Sequence, residues 1–382
     1  MLEMPLRLGY NTGLTVEKVM LKIKKNHILL PSGSSAALMI DSYSAPIKLV
    51  ITPDVKSANQ LLQELLFFQA SDHILVFPDR EILPYDHFSP HEDLTSERLT
   101  TLSKIMNMTK GIIVVALTTL MNRLPPIKHI VEHSIAIQKG QKLSLEQFRK
   151  NLITLGYHYN QQVWRHGEFS LRGSILDIYP TGEKNPIRIE WFDDHIESLR
   201  VFDKDTQLSL GAIDGFDCHV AHEYLLNEKT ISMFRQKWRE EFSQQTGSSP
   251  IYDAVSNGEN ISGLETYLPL LFDRLNDFLD YCPQETLCFM PLNAESVANS
   301  FAQEVHERYD QLKHDVHRPL LPPEFLYLSP QDLFAKLDQF NQVITHSTAS
   351  NIETFATPST KPISSFNVDN KAANPFNLLT NY

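Results

Sequence analysis

The chain has 382 residues, a formal net charge of −12, a charged fraction of 21% and a hydrophobic fraction of 42%. This composition is typical of a soluble globular protein of two or three domains, and the acidic balance argues against a protein whose main ligand is nucleic acid. Three cysteines without a C-x-x-C pair argue against a disulfide framework and a thiolate zinc site, and no segment has the pattern of a membrane span or a secretion signal. We therefore expect a cytoplasmic protein with reduced thiols.

Residues 1–130 alternate short apolar runs with helical periods. Runs at residues 47–52, 74–77 and 111–116 predict strands, and the last run is apolar throughout, which is typical of a strand covered on both faces. Leucines three and four residues apart predict a helix after the first of these strands. Another helix is predicted with Asp93 as its N-cap. This alternation predicts an α/β fold with a parallel sheet.

From residue 131 to residue 217 the pattern changes to a period of two, with turn signals between the segments. Such a pattern is typical of an antiparallel sheet with one wet face, and it predicts a small inserted domain. Helical periods return over residues 218–346, which we interpret as the second half of the interrupted domain. Residues 347–382 are rich in Ser, Thr, Asn and Pro, which predicts a linker or the start of a truncated following domain.

The turn after the first apolar run has the position of a phosphate-binding loop. In P-loop hydrolases this turn reads G-x-x-x-x-G-K-[ST], where backbone amides hold the phosphates, the lysine neutralises their charge and the hydroxyl holds magnesium. Here one glycine, Gly33, remains, followed by Ser34 and Ser35. Ala36 then stands in place of the lysine and Ala37 in place of the hydroxyl residue. We interpret the segment as a degenerate nucleotide loop, because neither methyl group can hold phosphate charge or a metal.

Two further segments contain chemically reactive residues without the context that a site requires. Residues 129–133 match the H-x-x-E-H zinc-peptidase string, which requires a helix. Here the string follows two prolines and leads into an alternating segment that indicates a strand. Residues 83–93 combine acids and histidines suited to general acid–base work, with no nucleophile or metal cluster nearby in the sequence. We expect neither a metal nor a catalytic residue at these segments.

The strand predicted at residues 187–192 has one apolar and one polar face. Isoleucines at 187 and 189 and a tryptophan at 191 form the apolar face, and Arg188, Glu190 and Phe192 form the other. An exposed aromatic residue beside arginines is the composition of a protein-interface hot spot. The alternative is that a neighbouring loop or domain covers Phe192. DNA binding is a weaker alternative, because residues 131–217 contain 10 Lys and Arg against 13 Asp and Glu, a net charge of −3.

Several stretches together resemble the N-terminal part of the bacterial transcription-repair coupling factors (Mfd). The most specific stretch is GEFSLRGSILDIYP at residues 167–180. The others are LPYD at 83–86, SP at 89–90, SERL at 96–99, TTLM at 118–121, FDD at 192–194, YLPLLF at 267–272 and RPLLPP at 318–323. These stretches span nearly the whole chain.

The resemblance implies a degenerate P-loop domain of the RecA or helicase type, split by an inserted and mainly antiparallel domain. Such a module is similar to the repair helicase UvrB, but it lacks UvrB's working ATP site and the hairpin with which UvrB clamps DNA. The resemblance also implies that the inserted domain recruits the damage-recognition ATPase UvrA. The family's contact residues fall on Arg172, Arg188 and Phe192, and UvrB has a further arginine where Ser170 stands here.

The resemblance further implies that ATP, magnesium, RNA polymerase and double-stranded DNA are bound by other domains of a parent protein that is a DNA-dependent ATPase and translocase. We expect this chain to need no cofactor and to be a non-catalytic module that brings nucleotide excision repair to stalled RNA polymerase. One alternative is a UvrB-type nucleotide-dependent DNA helicase domain, which ATP binding would distinguish. Another is a DNA-binding scaffold, whose DNA affinity would fall steeply with added salt.

Overall fold

A computed structural model of the chain describes residues 25–30, 34–243 and 249–346. Within these ranges the strands are β1 (Lys25–Leu29), β2 (Ile47–Thr52), β3 (Ile74–Phe77), β4 (Gly111–Ala116), β5 (Arg123–Leu124), β6 (Ser134–Gln138), β7 (His158–Tyr159), β8 (Glu168–Arg172), β9 (Ile175–Ile178), β10 (Ile187–Phe192), β11 (His195–Phe202), β12 (Ser209–Ala212), β13 (Gly215–His219), β14 (Asn276–Asp277), β15 (Leu287–Pro291) and β16 (Asn341–His346).

The α-helices of the same ranges are α1 (Ser34–Ser42), α2 (Val55–Leu65), α3 (Glu92–Met106), α4 (Leu117–Leu120), α5 (Ile127–Glu132), α6 (Leu145–Thr154), α7 (Glu228–Glu241), α8 (Pro250–Ser256), α9 (Leu268–Leu271), α10 (Phe278–Tyr281), α11 (Ala294–Leu312), α12 (Pro323–Leu326) and α13 (Pro330–Leu337). Short 3-10 helices lie at Ser71–His73 and Leu264–Tyr267. None of the helices in the described ranges is long and apolar enough to cross a membrane.

Six parallel strands form the first sheet, in the order β1–β16–β15–β2–β4–β3. Strands β2 and β4 are buried along their whole length, because helices cover both faces of the sheet. Leu49 and Ile113 pack on the side of α3, whereas Val50 and Val114 pack on the side of α1 and α2. The predicted α/β class with a parallel sheet is confirmed. The sheet takes four strands from before residue 117 and two from after residue 286.

The intervening segment contains a second six-stranded sheet, in the order β12–β11–β10–β9–β8–β7, which is antiparallel except for the pair β7 and β8. Strands β6 and β13 pair with each other where the chain enters and leaves this segment. Ile187, Ile189 and Trp191 are buried in the same core as the apolar face of α6, which is the face that the period of two predicts. The antiparallel sheet is confirmed, whereas the exact domain boundaries at residues 130, 217 and 346 stay predictions.

Helices follow the inserted segment, as the sequence predicts. Phe234 and Trp238 of α7 lie in one buried cluster with Tyr267, and α11 is the longest helix of this part of the chain, with 19 residues. The predicted linker, residues 347–382, lies outside the described residues.

Two local predictions are wrong. Helix α3 begins at Glu92, and its N-cap is His91, whose Nδ1 accepts a hydrogen bond from the backbone N–H of Asp93. Asp93 therefore lies in the first turn, where a carboxylate interacts favourably with the positive end of the helix. Residues 127–132 form helix α5, although the sequence favoured a non-helical segment there. Pro126 is its N-cap, and a proline at a helix start removes only an N–H that would have no intrahelical acceptor.

A buried carboxylate fastens the inserted segment to the parallel-sheet domain. Glu223 follows the inserted sheet, and its oxygens accept hydrogen bonds from Arg98 of α3 (Nε to Oε1, 2.9 Å) and from Arg80, which follows β3. Arg98 is 1% exposed, and its guanidinium carbon lies 4.4 Å from the ring centroid of Phe77. Burial alone would raise the pKa of Glu223, but the two guanidinium groups outweigh it and lower this pKa to about 2. The carboxylate is therefore ionised at neutral pH.

The first turns of α3 provide further contacts to the inserted segment. The hydroxyl oxygen of Ser96 accepts a hydrogen bond from the backbone N–H of Gly182 at 2.9 Å. Glu92 pairs with Arg165 at 3.2 Å. The stretch SERL at residues 96–99 thus has a structural explanation, since its serine binds the inserted segment and its arginine binds Glu223, which follows β13.

Replacing Glu223 with alanine is expected to lower the free energy of unfolding by about 3–5 kcal/mol, because two arginines lose their shared counter-charge in the interior. Denaturant titration followed by tryptophan fluorescence measures this change. Asp310→Ala is the matched control, because Asp310 pairs with Lys313 on the exposed surface of α11 and should leave the free energy nearly unchanged. A similarly small effect of both replacements would contradict the structural role of Glu223.

Candidate functional site

The inserted sheet has a polar face opposite the face that packs with α6. Directly paired residues place Asp177 of β9, Arg188 of β10 and Arg200 of β11 in one row across this face. Arg172, at the end of β8, adjoins the row and contacts Asp177. We call this row, together with Arg172 and with Phe192 at the end of β10, the polar face.

Asp177 is the centre of the polar face. It is 3% exposed, and both of its carboxylate oxygens accept hydrogen bonds from Arg188, from Nε at 2.7 Å and from Nη2 at 2.9 Å. Arg172 donates from Nη2 to the same carboxylate at 2.5 Å. The side chains of Arg172 and Arg188 are 59% and 24% exposed. One buried acid therefore orients two solvent-accessible arginines.

The surroundings of Arg188 keep it charged and in place. Its hydrogen bonds to Asp177 raise the pKa of the Arg188 guanidinium above its ordinary value, and the negative charge of the same carboxylate acts in the same direction. The guanidinium carbon lies 4.6 Å from the ring centroid of Phe202, which is a cation–π contact. Arg188 thus presents a fixed positive charge.

Phe192 is exposed because the preceding residue takes the buried position. Trp191 points into the core, and its Nε1 donates a hydrogen bond to the carbonyl of Leu143 at 2.7 Å. Phe192 is the last residue of β10 and is 73% exposed. Asp193 follows in the left-handed region, with φ 55°, and begins the turn to β11. The alternative that another part of the chain covers Phe192 does not hold within the described residues.

A second ion pair lies between the arginines and Phe192. Oε2 of Glu190 accepts hydrogen bonds from Ser198 at 2.7 Å and from Arg200 at 2.9 Å. This pair is electrically neutral. The net positive charge of the polar face therefore resides in the cluster of Arg172, Arg188 and Asp177, whose formal charges sum to +1.

The sequence missed Asp177 and Arg200 as members of this surface. The only signal for Asp177 is a charged residue inside the otherwise apolar stretch from Ile175 to Ile178. Its partners could not be read from the sequence, because they depend on which strands pair and in what register. Ser170, where the resemblance places an arginine in UvrB, is buried and donates a hydrogen bond to the carbonyl of Gln161 at 2.9 Å.

The predicted nucleotide loop is described only in part. Gly33 lies outside the described residues, and residues 34–37 form the first turn of α1. Ala37 is buried on one face of the parallel sheet, whereas Ser34 and Ser35 are exposed.

The H-x-x-E-H segment lies on α5 and its C-cap, with its two histidines one turn apart. Nδ1 of His133 lies 2.9 Å from the carbonyl oxygen of His129, and burial lowers the pKa of His129 to about 4. Across the described ranges no group of three or more His, Cys, Asp or Glu is arranged to hold a metal ion. The helix that the motif requires is therefore present, but the described ranges place no set of metal-binding side chains beside it.

The loop at residues 83–93 makes specific contacts with the rest of the parallel-sheet domain. Tyr85 is buried, and its hydroxyl donates a hydrogen bond to the carbonyl of Leu321 at 3.0 Å. Nε of Arg308 donates to the carbonyl of Pro84 at 2.7 Å. These contacts explain the stretch LPYD by packing.

The comparisons agree with this architecture. Residues 135–224 match the family model of the UvrB interaction domain, which includes the whole polar face. The transcription-repair-coupling factors of Haemophilus influenzae and Escherichia coli are 37% and 35% identical to this chain over 317 residues, or 82% of the chain and 28% and 27% of those proteins. That of Staphylococcus aureus is 34% identical over 190 residues, or 50% of the chain and 16% of that protein.

The resemblance found in the sequence is thus confirmed: residues 135–224 match the UvrB interaction domain, and the chain is similar to one part of the transcription-repair-coupling factors. It spans 28% of the length of the Haemophilus relative.

Neighbouring aromatic residues of β10 should differ sharply in their effect on stability. Phe192→Ala is expected to change the free energy of unfolding by less than about 0.5 kcal/mol, because the ring is already in solvent. Trp191→Ala should lower it by about 3–5 kcal/mol, because it removes a buried ring and leaves a cavity. Urea titration of both variants measures the difference. If Phe192→Ala destabilised the protein as much as Trp191→Ala, Phe192 would belong to the core.

Proposed function

We propose that the polar face docks UvrA and that this chain is a non-catalytic recruitment module for nucleotide excision repair. The observation that supports this most directly is an exposed phenylalanine beside two arginines that one buried carboxylate orients. The match to the UvrB interaction domain covers all of these residues. The partner follows from the resemblance to UvrB, which implies UvrA.

The residues of the polar face suit a specific protein contact. A phenylalanine that becomes covered removes about 150–250 Å² of ring surface from water. Arginines add charge-assisted hydrogen bonds to carboxylates, which give orientation as well as affinity. The cluster charge of +1 lies in a segment whose net charge is −3. The positive site is therefore local, and it favours a partner surface that presents carboxylates.

The relatives suggest where such docking would act. They are transcription-repair-coupling factors, of which this chain spans less than a third. We infer that the chain brings UvrA to a stalled RNA polymerase. Contacts with the polymerase and with double-stranded DNA, and translocation driven by ATP and magnesium, would then reside in the parts of the parent protein that this chain does not span.

We also propose that the turn before α1 no longer binds nucleotide. A helix N-terminus attracts phosphate, but a P-loop also needs a lysine and a hydroxyl group in the first helical turn. That turn contains Ala36 and Ala37 here, and Ala37 is packed into the core. This composition counts against the alternative function, a UvrB-type nucleotide-dependent helicase domain.

Alanine at Arg172, Arg188 or Phe192 is expected to weaken UvrA binding by about 1–3 kcal/mol each, which is the range for interface anchors. Titration of UvrA followed by isothermal calorimetry measures the loss, and the triple variant should show no saturable binding in the same range.

Phe67→Ala is the matched control for Phe192→Ala. Phe67 is 82% exposed but lies after α2, in the parallel-sheet domain. The Phe67→Ala variant should bind UvrA as tightly as the parent. A triple variant that bound UvrA as tightly as the parent would show that UvrA does not dock on the polar face.

Calorimetric titration of the chain with ATP and magnesium should show no binding in the micromolar range, because the loop has neither a phosphate-neutralising lysine nor a metal-binding hydroxyl at the required positions. UvrB is the positive control in the same buffer. Micromolar affinity of this chain for ATP would support the helicase alternative.

A further inference from the structure

We propose that Asp177 is a positioning residue for docking: it holds Arg172 and Arg188 in the orientation in which they meet carboxylates of the partner. The inference rests on the proposed function of the polar face. The buried acid supplies the fixed orientation that the two exposed arginines alone would lack.

Asp177 binds both guanidinium groups, Arg188 through two hydrogen bonds and Arg172 through one. Asp177 lies on β9, between the strands that carry the two arginines. Arg188 binds it through two nitrogens, at 2.7 and 2.9 Å, so the plane of its guanidinium group is set. Arg172 binds it through one nitrogen at 2.5 Å and is the more exposed of the two. Among the described residues, no other group accepts a hydrogen bond from either guanidinium group, so their remaining donors are available to a partner.

Such an arrangement lowers the cost of binding. A free arginine has many rotamers, and a partner that orders it must offset the lost side-chain entropy. Two unpaired arginines side by side would also repel each other. Asp177 removes both costs before the partner arrives, and it leaves a net charge of +1 at the site.

Positioning and simple attraction predict opposite results for Asp177→Asn. This replacement keeps the shape of the side chain and raises the net charge of the cluster from +1 to +2. If the site acted only through electrostatic attraction, the variant would associate faster with an acidic partner and bind it more tightly. If Asp177 acts by positioning, the variant binds more weakly in spite of its greater charge, and the loss appears in the dissociation rate.

The test compares the kinetics of UvrA binding for the parent, Asp177→Asn and Asp310→Asn. Asp310 pairs with Lys313 on α11, outside the polar face, so its replacement makes the same change in net charge without altering the docking surface. We expect the dissociation constant to rise about tenfold for Asp177→Asn, mainly through faster dissociation, and to stay within about twofold of the parent for Asp310→Asn. In the background of Arg172→Ala and Arg188→Ala, Asp177→Asn should have no further effect.

A measurement on the unmodified protein decides the question even if Asp177→Asn does not fold. Nuclear magnetic relaxation of the side-chain Nε–Hε groups in the free chain should show Arg172 and Arg188 to be as rigid as the backbone, and the exposed Arg274 to be mobile. Failure of the parent to bind UvrA would overturn the proposed function together with this inference. If the parent bound UvrA and the Asp177→Asn variant bound it equally or more tightly, the positioning role alone would be overturned. Mobile Arg172 and Arg188 side chains in a parent that binds UvrA would have the same consequence.

Discussion

The orientation of the inserted sheet depends on one carboxylate buried between two arginines. Glu223 follows β13 at the exit of the inserted segment, while Arg98 and Arg80 belong to the parallel-sheet domain. An isolated charge at this depth would be strongly unfavourable, and only the complete group makes its burial acceptable. Together with the contacts of Ser96 and Glu92, this group holds the inserted segment in a defined position on the parallel-sheet domain.

The same arrangement occurs at the surface with a different consequence. Asp177 is shared by Arg172 and Arg188 as Glu223 is shared by Arg98 and Arg80, but the outer arginines keep part of their surface in solvent. Each group has two arginines and one acid and therefore a formal charge of +1. In the interior the arginines are nearly excluded from solvent, whereas on the polar face their unused donors are accessible from solvent. Under the proposed function, the parallel-sheet domain serves as a support for docking by the polar face.

The sequence predicts the parts of this molecule that depend on periodicity. Short apolar runs predicted β2 and β4, which are buried on both faces, and alternation predicted which side of β10 is exposed. The sequence could not predict the shared carboxylates, because Arg98 and Glu223 are 125 residues apart and Asp177 meets Arg188 only through the register of two strands. Helix α5 was missed because two prolines indicated a break, although a proline at the N-cap is compatible with a helix. Arg172, Arg188 and Phe192 were predicted from composition and family resemblance, whereas Asp177, which binds both arginines, could be recognised only in the fold.

The central claim is that UvrA binds the polar face, and hydroxyl-radical footprinting tests it on the unmodified chain. Phe192 and Phe67 are both exposed aromatic rings, one on the polar face and one on the parallel-sheet domain. With saturating UvrA, the oxidation rate of Phe192 should fall sharply while that of Phe67 stays unchanged. An unchanged oxidation rate at Phe192 in the presence of bound UvrA would contradict the account.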